Sequence, residues 1–285
     1  MRSFFIRTGA FAAAAALMAL SQAAPLLALT EEQIVEKLNL VPVFTIIDSK
    51  GNPLVVSAKA QKENEKPKDI LVFFLDQKAV QDTYSNLLKS NNKPNNETPQ
   101  ISFIPLGQAF KLIREESKKK DSQVGFQFLT DPGTLKYALD LFNKKADAKT
   151  KSTQFPGIPV FYAVGSDGKN KGPVTFEKDG KPFLPLFFDQ ADIERNITEL
   201  KKTKPDLAKQ MAVDVLPLDF VISTMLEGKN DDQLKTLTFV PSFSARQYAQ
   251  SLVQKAASKP GGATPAASST PAASSTPAAG STTKP

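Results

Sequence analysis

The stretch Leu40-Val41-Pro42-Val43-Phe44 has a near copy, Gly157-Ile158-Pro159-Val160-Phe161, in the second half of the chain. Each copy is followed by a turn, by an apolar run that leads into Asp-Gln (Asp76-Gln77 and Asp189-Gln190), and by a segment with helical spacing. Further matched strand-like runs are residues 101–106 with 213–218, and 126–129 with 237–240. Four matched elements in the same order indicate two structural repeats of one unit.

The apolar runs predict strands that are buried on both faces. Val43 and Phe44 point to opposite faces of one such strand, and a strand that is apolar on both faces needs cover on both sides. We therefore predict an α/β fold of two tandem strand-and-helix repeats related by a pseudo-two-fold axis, with the sheet flanked by helices. The repeats, residues 29–150 and 151–257, together form one compact domain.

The two ends of the chain differ from the repeats. Arg2 and Arg7, an Ala-rich stretch over residues 10–20 and the small residues after it are typical of a signal peptide, predicted here over residues 1–28. An uncleaved anchor is the alternative. Residues 258–285 consist mainly of Ser, Thr, Pro, Ala and Gly, a composition that cannot form a core and predicts a disordered tail.

Capping and turn signals locate the helices and hairpins. Predicted N-caps are Thr30 (with Gln33 completing a capping box), Asp76, Asp131 before Pro132, Asp189, and Ser244 (with Gln247). Two Asp-Gly pairs, Asp167-Gly168 and Asp179-Gly180, predict hairpins in the second repeat. The position of Asp76 and Asp189 between a strand and a helix favours capping over a catalytic pair of carboxylates.

The composition excludes several classes of chemistry. The 285 residues include no His, no Cys and no Trp, so the chain has no imidazole-activated nucleophile, no thiol redox pair and no imidazole or thiolate metal site. Carboxylate chemistry, Lys or Tyr bases and oxygen-only cation sites stay open. We predict a protein that is not an enzyme, with no cofactor and no metal.

The positive charge is spread along the chain. The formal net charge is +7, and the lysine run at residues 118–120 is bracketed by Glu115, Glu116 and Asp121. Interspersed charge of this kind is typical of a solvated face, so no nucleic-acid partner is predicted. Weak contact with an anionic membrane surface stays open.

The apolar excess is the positive functional signal. The chain has 20 Phe, many of them on strands with two apolar faces. Core packing accounts for any single Phe, but a whole sheet face left uncovered would form a groove for an extended apolar polypeptide. The candidate groove residues are Val43, Phe44, Phe73, Phe74, Phe103, Phe128, Val160, Phe161, Phe187, Phe188 and Phe239.

The chain resembles a known family between its two ends. Residues 41–54 (VPVFTIIDSKGNPL), 155–161 (FPGIPVF), 185–188 (PLFF) and 204–208 (KPDLA) carry the resemblance. They are similar to the twenty-two-kilodalton subunit family of the translocon at the inner chloroplast envelope, in its cyanobacterial form. These residues are landmarks of a fold rather than of a catalytic site.

The resemblance implies a soluble two-repeat α/β protein with apolar grooves, acting in the periplasm. It implies a chaperone-like role in protein translocation and outer-membrane biogenesis. The implied partners are outer-membrane precursor proteins and an outer-membrane β-barrel translocation protein with POTRA domains. The thylakoid lumen is an alternative location.

Two other functions stay open at this point. One is an enzyme that uses carboxylates with a Lys or Tyr base, for which Tyr137 or Tyr248 beside a buried acid would be the sign. The other is an adaptor that docks on a membrane complex through its N-terminal helix, within residues 30–39.

Overall fold

The computed structural model describes residues 28–58, 68–89, 98–120, 122–145, 150–166, 171–228 and 231–258. The contacts divide the chain into a unit that ends at Ala249 and contains all the described strands, and a second unit that begins at Gln250. The predicted signal peptide up to residue 27, the predicted tail from residue 259 and the predicted Asp167-Gly168 turn lie outside the described residues. Within the described ranges, no helix is long and apolar enough to cross a bilayer.

Both halves of the chain contain helices and strands. The first half contains α1 (Glu31–Leu38), β1 (Pro42–Ile47), β2 (Val55–Ala58), β3 (Lys68–Phe74), α2 (Gln77–Lys89), β4 (Gln100–Pro105), α3 (Leu106–Ser117), β5 (Val124–Leu129) and α4 (Pro132–Lys144). The second half contains β6 (Pro159–Ser166), β7 (Lys171–Pro173), β8 (Phe176–Lys178), β9 (Lys181–Phe187), α5 (Gln190–Thr203), α6 (Pro205–Lys209), β10 (Met211–Pro217), α7 (Leu218–Glu227), α8 (Asp231–Thr236), β11 (Leu237–Val240) and α9 (Phe243–Ala257). The predicted α/β class is confirmed.

The strands form two sheets with the same central connectivity. In the first sheet, β1 is antiparallel to β4 and β3, and β3 is parallel to β5. In the second, β6 is antiparallel to β10 and β9, and β9 is parallel to β11. The registers also correspond, because Phe44 lies opposite Phe103 and Phe74 while Phe161 lies opposite Val215 and Phe187. The pseudo-two-fold axis itself stays a prediction.

One face of each sheet contributes to a single shared core. Val43 and Phe73 from the first sheet belong to the same buried cluster as Val160, Phe188 and Phe239 from the second. Burying an apolar side chain of this size contributes about 1.5–3 kcal/mol, so the shared core is a main source of stability. The face that each sheet turns toward this shared core is therefore filled, and no open groove lies between these buried side chains.

The outer face of each sheet is covered partly by a helix from the other half. Helix α4 follows β5 in the first half, yet it contacts β6 and β10 of the second sheet, and Tyr137 lies 5.7 Å from Phe161 between ring centroids. In return, Tyr248 of α9 lies 5.2 Å from Phe44 of the first sheet. This exchange of helices ties the two halves together.

Most of the predicted caps are confirmed. The capping box of Thr30 and Gln33 is complete, and the carboxylates of Asp76, Asp131 and Asp189 accept backbone N–H groups at the starts of α2, α4 and α5. The prediction for α9 was wrong, because the helix begins at Phe243, two residues earlier than a cap at Ser244 implies, and Ser242 Oγ accepts the N–H of Ala245 at 3.1 Å.

The turns show the backbone conformations that their residues favour. Asp179 and Gly180 have φ values of 52° and 75° and connect β8 to β9 as predicted. Helix α7 ends at Gly228, whose φ of 68° suits a residue without a Cβ. Helix α8, by contrast, was not predicted, since its short sequence has no apolar periodicity.

Candidate polypeptide-binding groove

The structure places most of the predicted groove residues inside the protein. Phe103 and Phe128 are partly exposed. The others are buried: Val43, Phe44, Phe73, Phe74, Val160, Phe161, Phe187, Phe188 and Phe239. Their role in polypeptide binding stays a prediction, and only Phe187 among them lines the groove described next.

An apolar groove lies between the outer face of the second sheet and α5. Its volume is about 560 Å³, within the range of about 300–1,000 Å³ that is typical of ligand sites. The floor is formed by strand residues, with Ala163 from β6, Phe176 from β8, and Phe183 and Phe187 from β9. The groove is therefore built on rigid sheet.

The wall of the groove is one stripe of α5. Ile193, Ile197 and Leu200 have the i, i+4, i+7 spacing that places side chains on one helix face. Ile193 is buried, whereas Ile197 and Leu200 are partly exposed. Asp189 fixes the start of this helix by accepting the N–H of Ala191 at 2.6 Å. The stripe thus packs on the sheet at one end and opens toward solvent at the other.

Small side chains account for the space in the groove. Ala163 occupies the position that corresponds to Ile46 in the first sheet, two residues after the matched Phe. Val215 lies opposite Phe161, where the first sheet has Phe103 opposite Phe44. The β8–β9 hairpin then extends the floor with Phe176 and Phe183, whose rings lie 5.9 Å apart. The first sheet has a matching strand pair, with Val56 opposite Ile70. The two faces therefore differ in the size of the side chains at shared positions.

The rim of the groove carries both signs of charge. Glu199, Lys204 and Arg246 line the opening. Arg246 also lies over the ring of Phe243, 5.8 Å from its centroid, and that ring is exposed. An apolar floor with a mixed rim suits an apolar segment with polar flanks better than a charged small molecule.

The repeated Asp-Gln pairs lie close enough to interact. Burial raises the pKa of Asp76, and the carboxylates of Asp131 and Asp189 raise it further. Burial likewise raises the pKa of Asp189, with Asp192 and Asp131 adding to the effect. These groups are helix caps, as predicted, and among the described residues no cluster of acids is arranged to hold a metal ion.

The two tyrosines that would mark an enzyme are poor bases. Burial, followed by the carboxylate of Glu194, raises the pKa of Tyr137 to about 12. Burial also raises the pKa of Tyr248. Both phenols therefore keep their protons near neutral pH, and Glu194 beside Tyr137 is exposed rather than buried. The sign expected of a carboxylate and tyrosine enzyme is not found at these positions.

Sequence reasoning missed the groove, since Phe187 is the one groove-lining residue among its candidates. The apolar stripe of α5 lies in the segment with helical spacing after Asp189-Gln190, but neither it nor Phe183, Ala163, Phe176 or Met211 was among the candidates. The available signal was the difference between the repeats, in which Ala163 replaces Ile46. A small residue that breaks a match between two apolar strands indicates space on that face.

A sequence model of the Tic22-like family matches residues 3–251. The chain belongs to the Tic22-like family. The resemblance carried by residues 41–54, 155–161, 185–188 and 204–208 is thereby confirmed. No curated protein matches the chain.

Two solved structures of Tic22 proteins share the fold. Anabaena Tic22, a protein of protein transport, superimposes with a TM-score of 0.63 at 25% identity, covering 78% of this chain and 97% of its own. Tic22 from Plasmodium falciparum gives a TM-score of 0.58 at 26% identity, covering 77% of this chain and 96% of its own.

Proposed function

We propose that this protein is a transport factor that holds extended, apolar segments of precursor polypeptides in the groove between α5 and the second sheet. The observation that carries the proposal is the groove itself, an opening of about 560 Å³ with an aromatic and aliphatic floor. Membership in the Tic22-like family and the transport role of the Anabaena relative support it.

The chemistry of the groove suits holding rather than conversion. Phe176, Phe183 and Ile197 offer apolar surface without a nucleophile, and the tyrosine pKa values are raised rather than lowered. Binding by such a surface depends on removing apolar area from water, which is tolerant of client sequence. We therefore propose a holding factor that is not an enzyme.

The finer assignments are proposals as well. The signal peptide predicted from residues 1–28 and the family resemblance support export to the periplasm, where outer-membrane precursors would be clients. A POTRA-bearing barrel protein is the proposed receiving partner. Docking through α1 has less support, because its apolar face, Ile34, Val35 and Leu38, is buried in the protein's own core.

Suppression of aggregation tests this proposal. An unfolded outer-membrane barrel precursor is diluted with and without the full chain, and light scattering is followed. The wild type should suppress scattering, and Ile197→Glu should lose at least about tenfold in apparent affinity, since it places a charge in the groove. Thr198→Glu is the matched control, because Thr198 is the next residue of α5, is exposed and does not line the groove.

The proposal fails if the wild type does not slow aggregation. It fails equally if both variants act like the wild type while circular dichroism shows that they are folded.

A further inference from the structure

We propose that the outer edge of β5 is a second binding site, at which a β-strand-forming segment of another polypeptide adds to the first sheet. The inference rests on the proposed function and deepens it, because it names the class of polypeptide that is held. It concerns Val124–Leu129, which pairs with β3 on one side. No described strand pairs with the other side of β5.

The hydrogen bonds at the two ends of the ladder show which backbone groups point outward. Asp69 N–H donates to the carbonyl of Gln123, and Leu75 N–H donates to that of Leu129. In a parallel ladder, every second residue directs both its N–H and its C=O to one neighbour. Residues 125, 127 and 129 therefore bond to β3, and Phe126 and Phe128 direct their backbone groups to the free edge.

On the equivalent edge of the second sheet, one outward backbone group is already bonded. Leu237 corresponds to Phe126, and its carbonyl accepts Lys37 Nζ of α1 at 2.9 Å. Lys37 also donates to the carbonyl of Lys235 at 3.0 Å. In the first sheet, no described residue bonds to the outward carbonyl or N–H of Phe126. The two edges thus differ because Lys37 of α1 bonds to the edge of β11, whereas no described residue bonds in this way to the edge of β5.

β5 also lacks two sequence features by which edge strands avoid pairing. Charged side chains and prolines protect such edges, and the sequence of β5, VGFQFL, contains neither. Strand β10 carries Asp214 in its middle and ends at Pro217, while β4 ends at Pro105. Val124 is 38% exposed, so an incoming strand would also meet apolar surface. An extended chain fits this edge because unpaired N–H and C=O groups in register are complementary to another strand.

The charge of the protein favours a client over a second copy. The chain has 36 Lys and Arg against 29 Asp and Glu, a formal net charge of +7. A second copy would add to this positive charge, whereas a neutral or acidic segment would not. The occupant proposed is therefore an extended segment with alternating apolar residues and no excess of cations.

Residue-resolved hydrogen exchange on the full chain tests the site directly. The probe is a ten-residue peptide of alternating Val and Thr with an Asp at each end. In the free protein, the amide protons of Phe126 and Phe128 should exchange fast, and saturating peptide should slow them at least about tenfold. Those of Gly125 and Gln127, already bonded to β3, should change little.

Variants at one exposed position provide the control. Gln127→Lys places a cation on the edge strand and should weaken peptide binding about tenfold, while Gln127→Thr, uncharged and suited to a strand, should bind as the wild type does. Both keep the backbone bonds to β3, so both should fold.

The outcomes separate this inference from the proposed function. No slowing at Phe126 and Phe128 overturns the edge site, even if groove binding and aggregation suppression persist. Slowing that appears without peptide as the protein concentration rises overturns it in favour of a second copy. Slowing with peptide supports the edge site, even if the wild type fails to suppress aggregation and the holding function falls.

Discussion

The outer faces of the two sheets share their connectivity but not their packing. On the first, Phe44 contacts Phe103 and Tyr248, with ring centroids 6.3 and 5.2 Å apart, and Ile46 beside them is buried. On the second, the positions of Phe103 and Ile46 hold Val215 and Ala163, and Ala163 lines the groove. The same strand order can therefore support packed aromatic rings at one position and an open groove at the matching one.

The first way to test this comparison is to remove the Phe that both faces share. Phe44→Ala and Phe161→Ala should each lower the free energy of unfolding by about 3–5 kcal/mol, because both rings are fully buried. Urea unfolding measures the change, with Val56→Ala as the control, since Val56 is 59% exposed. A loss of under about 1 kcal/mol at one position alone would show that the two faces differ beneath the groove as well.

The second test fills the groove by making the second sheet resemble the first. Ala163→Ile restores the residue found at Ile46 and should cost about 1–3 kcal/mol through overpacking. It should also weaken peptide binding, as fluorescence titration can measure. Ala109→Ile is the control, because Ala109 is fully buried in the shared core away from the groove. Equal peptide binding by both variants would show that the small side chain of Ala163 is not needed for binding.

A smaller effect distinguishes two serines at the start of α9. Ser242→Ala should lower the free energy of unfolding by about 0.5–2 kcal/mol, because Ser242 Oγ accepts the N–H of Ala245. Ser244→Ala should change it by a few tenths at most. Thermal or urea unfolding of the two variants measures the difference. A larger loss of stability in Ser244→Ala than in Ser242→Ala would show that Ser244 is the cap.

The smallest expected effect concerns the Asp-Gln pairs that the two halves share. Because burial raises the pKa of Asp76, the folded state binds its proton more tightly than the unfolded state does. The stability contributed by this group is therefore complete at low pH and is lost as pH rises through the raised pKa. Asp76→Asn keeps a capping side chain and should gain stability relative to wild type from pH 3 to pH 7. A difference that shrinks over this range would contradict the shift.

Much of the secondary structure could be predicted from local signals. The strands around Val43 and Val160 follow from apolar runs. The cap residues Thr30, Asp131 and Asp189 follow from side chains that reach two or three residues along the chain. Such signals are short-range, so they survive without knowledge of the fold.

The groove and the edge site could not be predicted in this way. The amphipathic sequence of α4 shows that one of its faces must be buried, but not that the second sheet buries it. Lys37 is 200 residues from Leu237, so no local pattern indicates that the two are bonded. Which Phe is buried and which lines an opening depends on these long-range contacts. The eleven candidates were therefore drawn from the right strands but mostly from their buried positions.

The most direct test of the central claim is photo-crosslinking from matched positions on the two outer faces. Phe183 of β9 lines the groove, and Ile70 of β3 is its counterpart, and both are partly exposed. With a photoreactive residue at either position, we expect an unfolded barrel precursor to be captured mainly from position 183. Equal capture from position 70, or none from position 183, would contradict that claim.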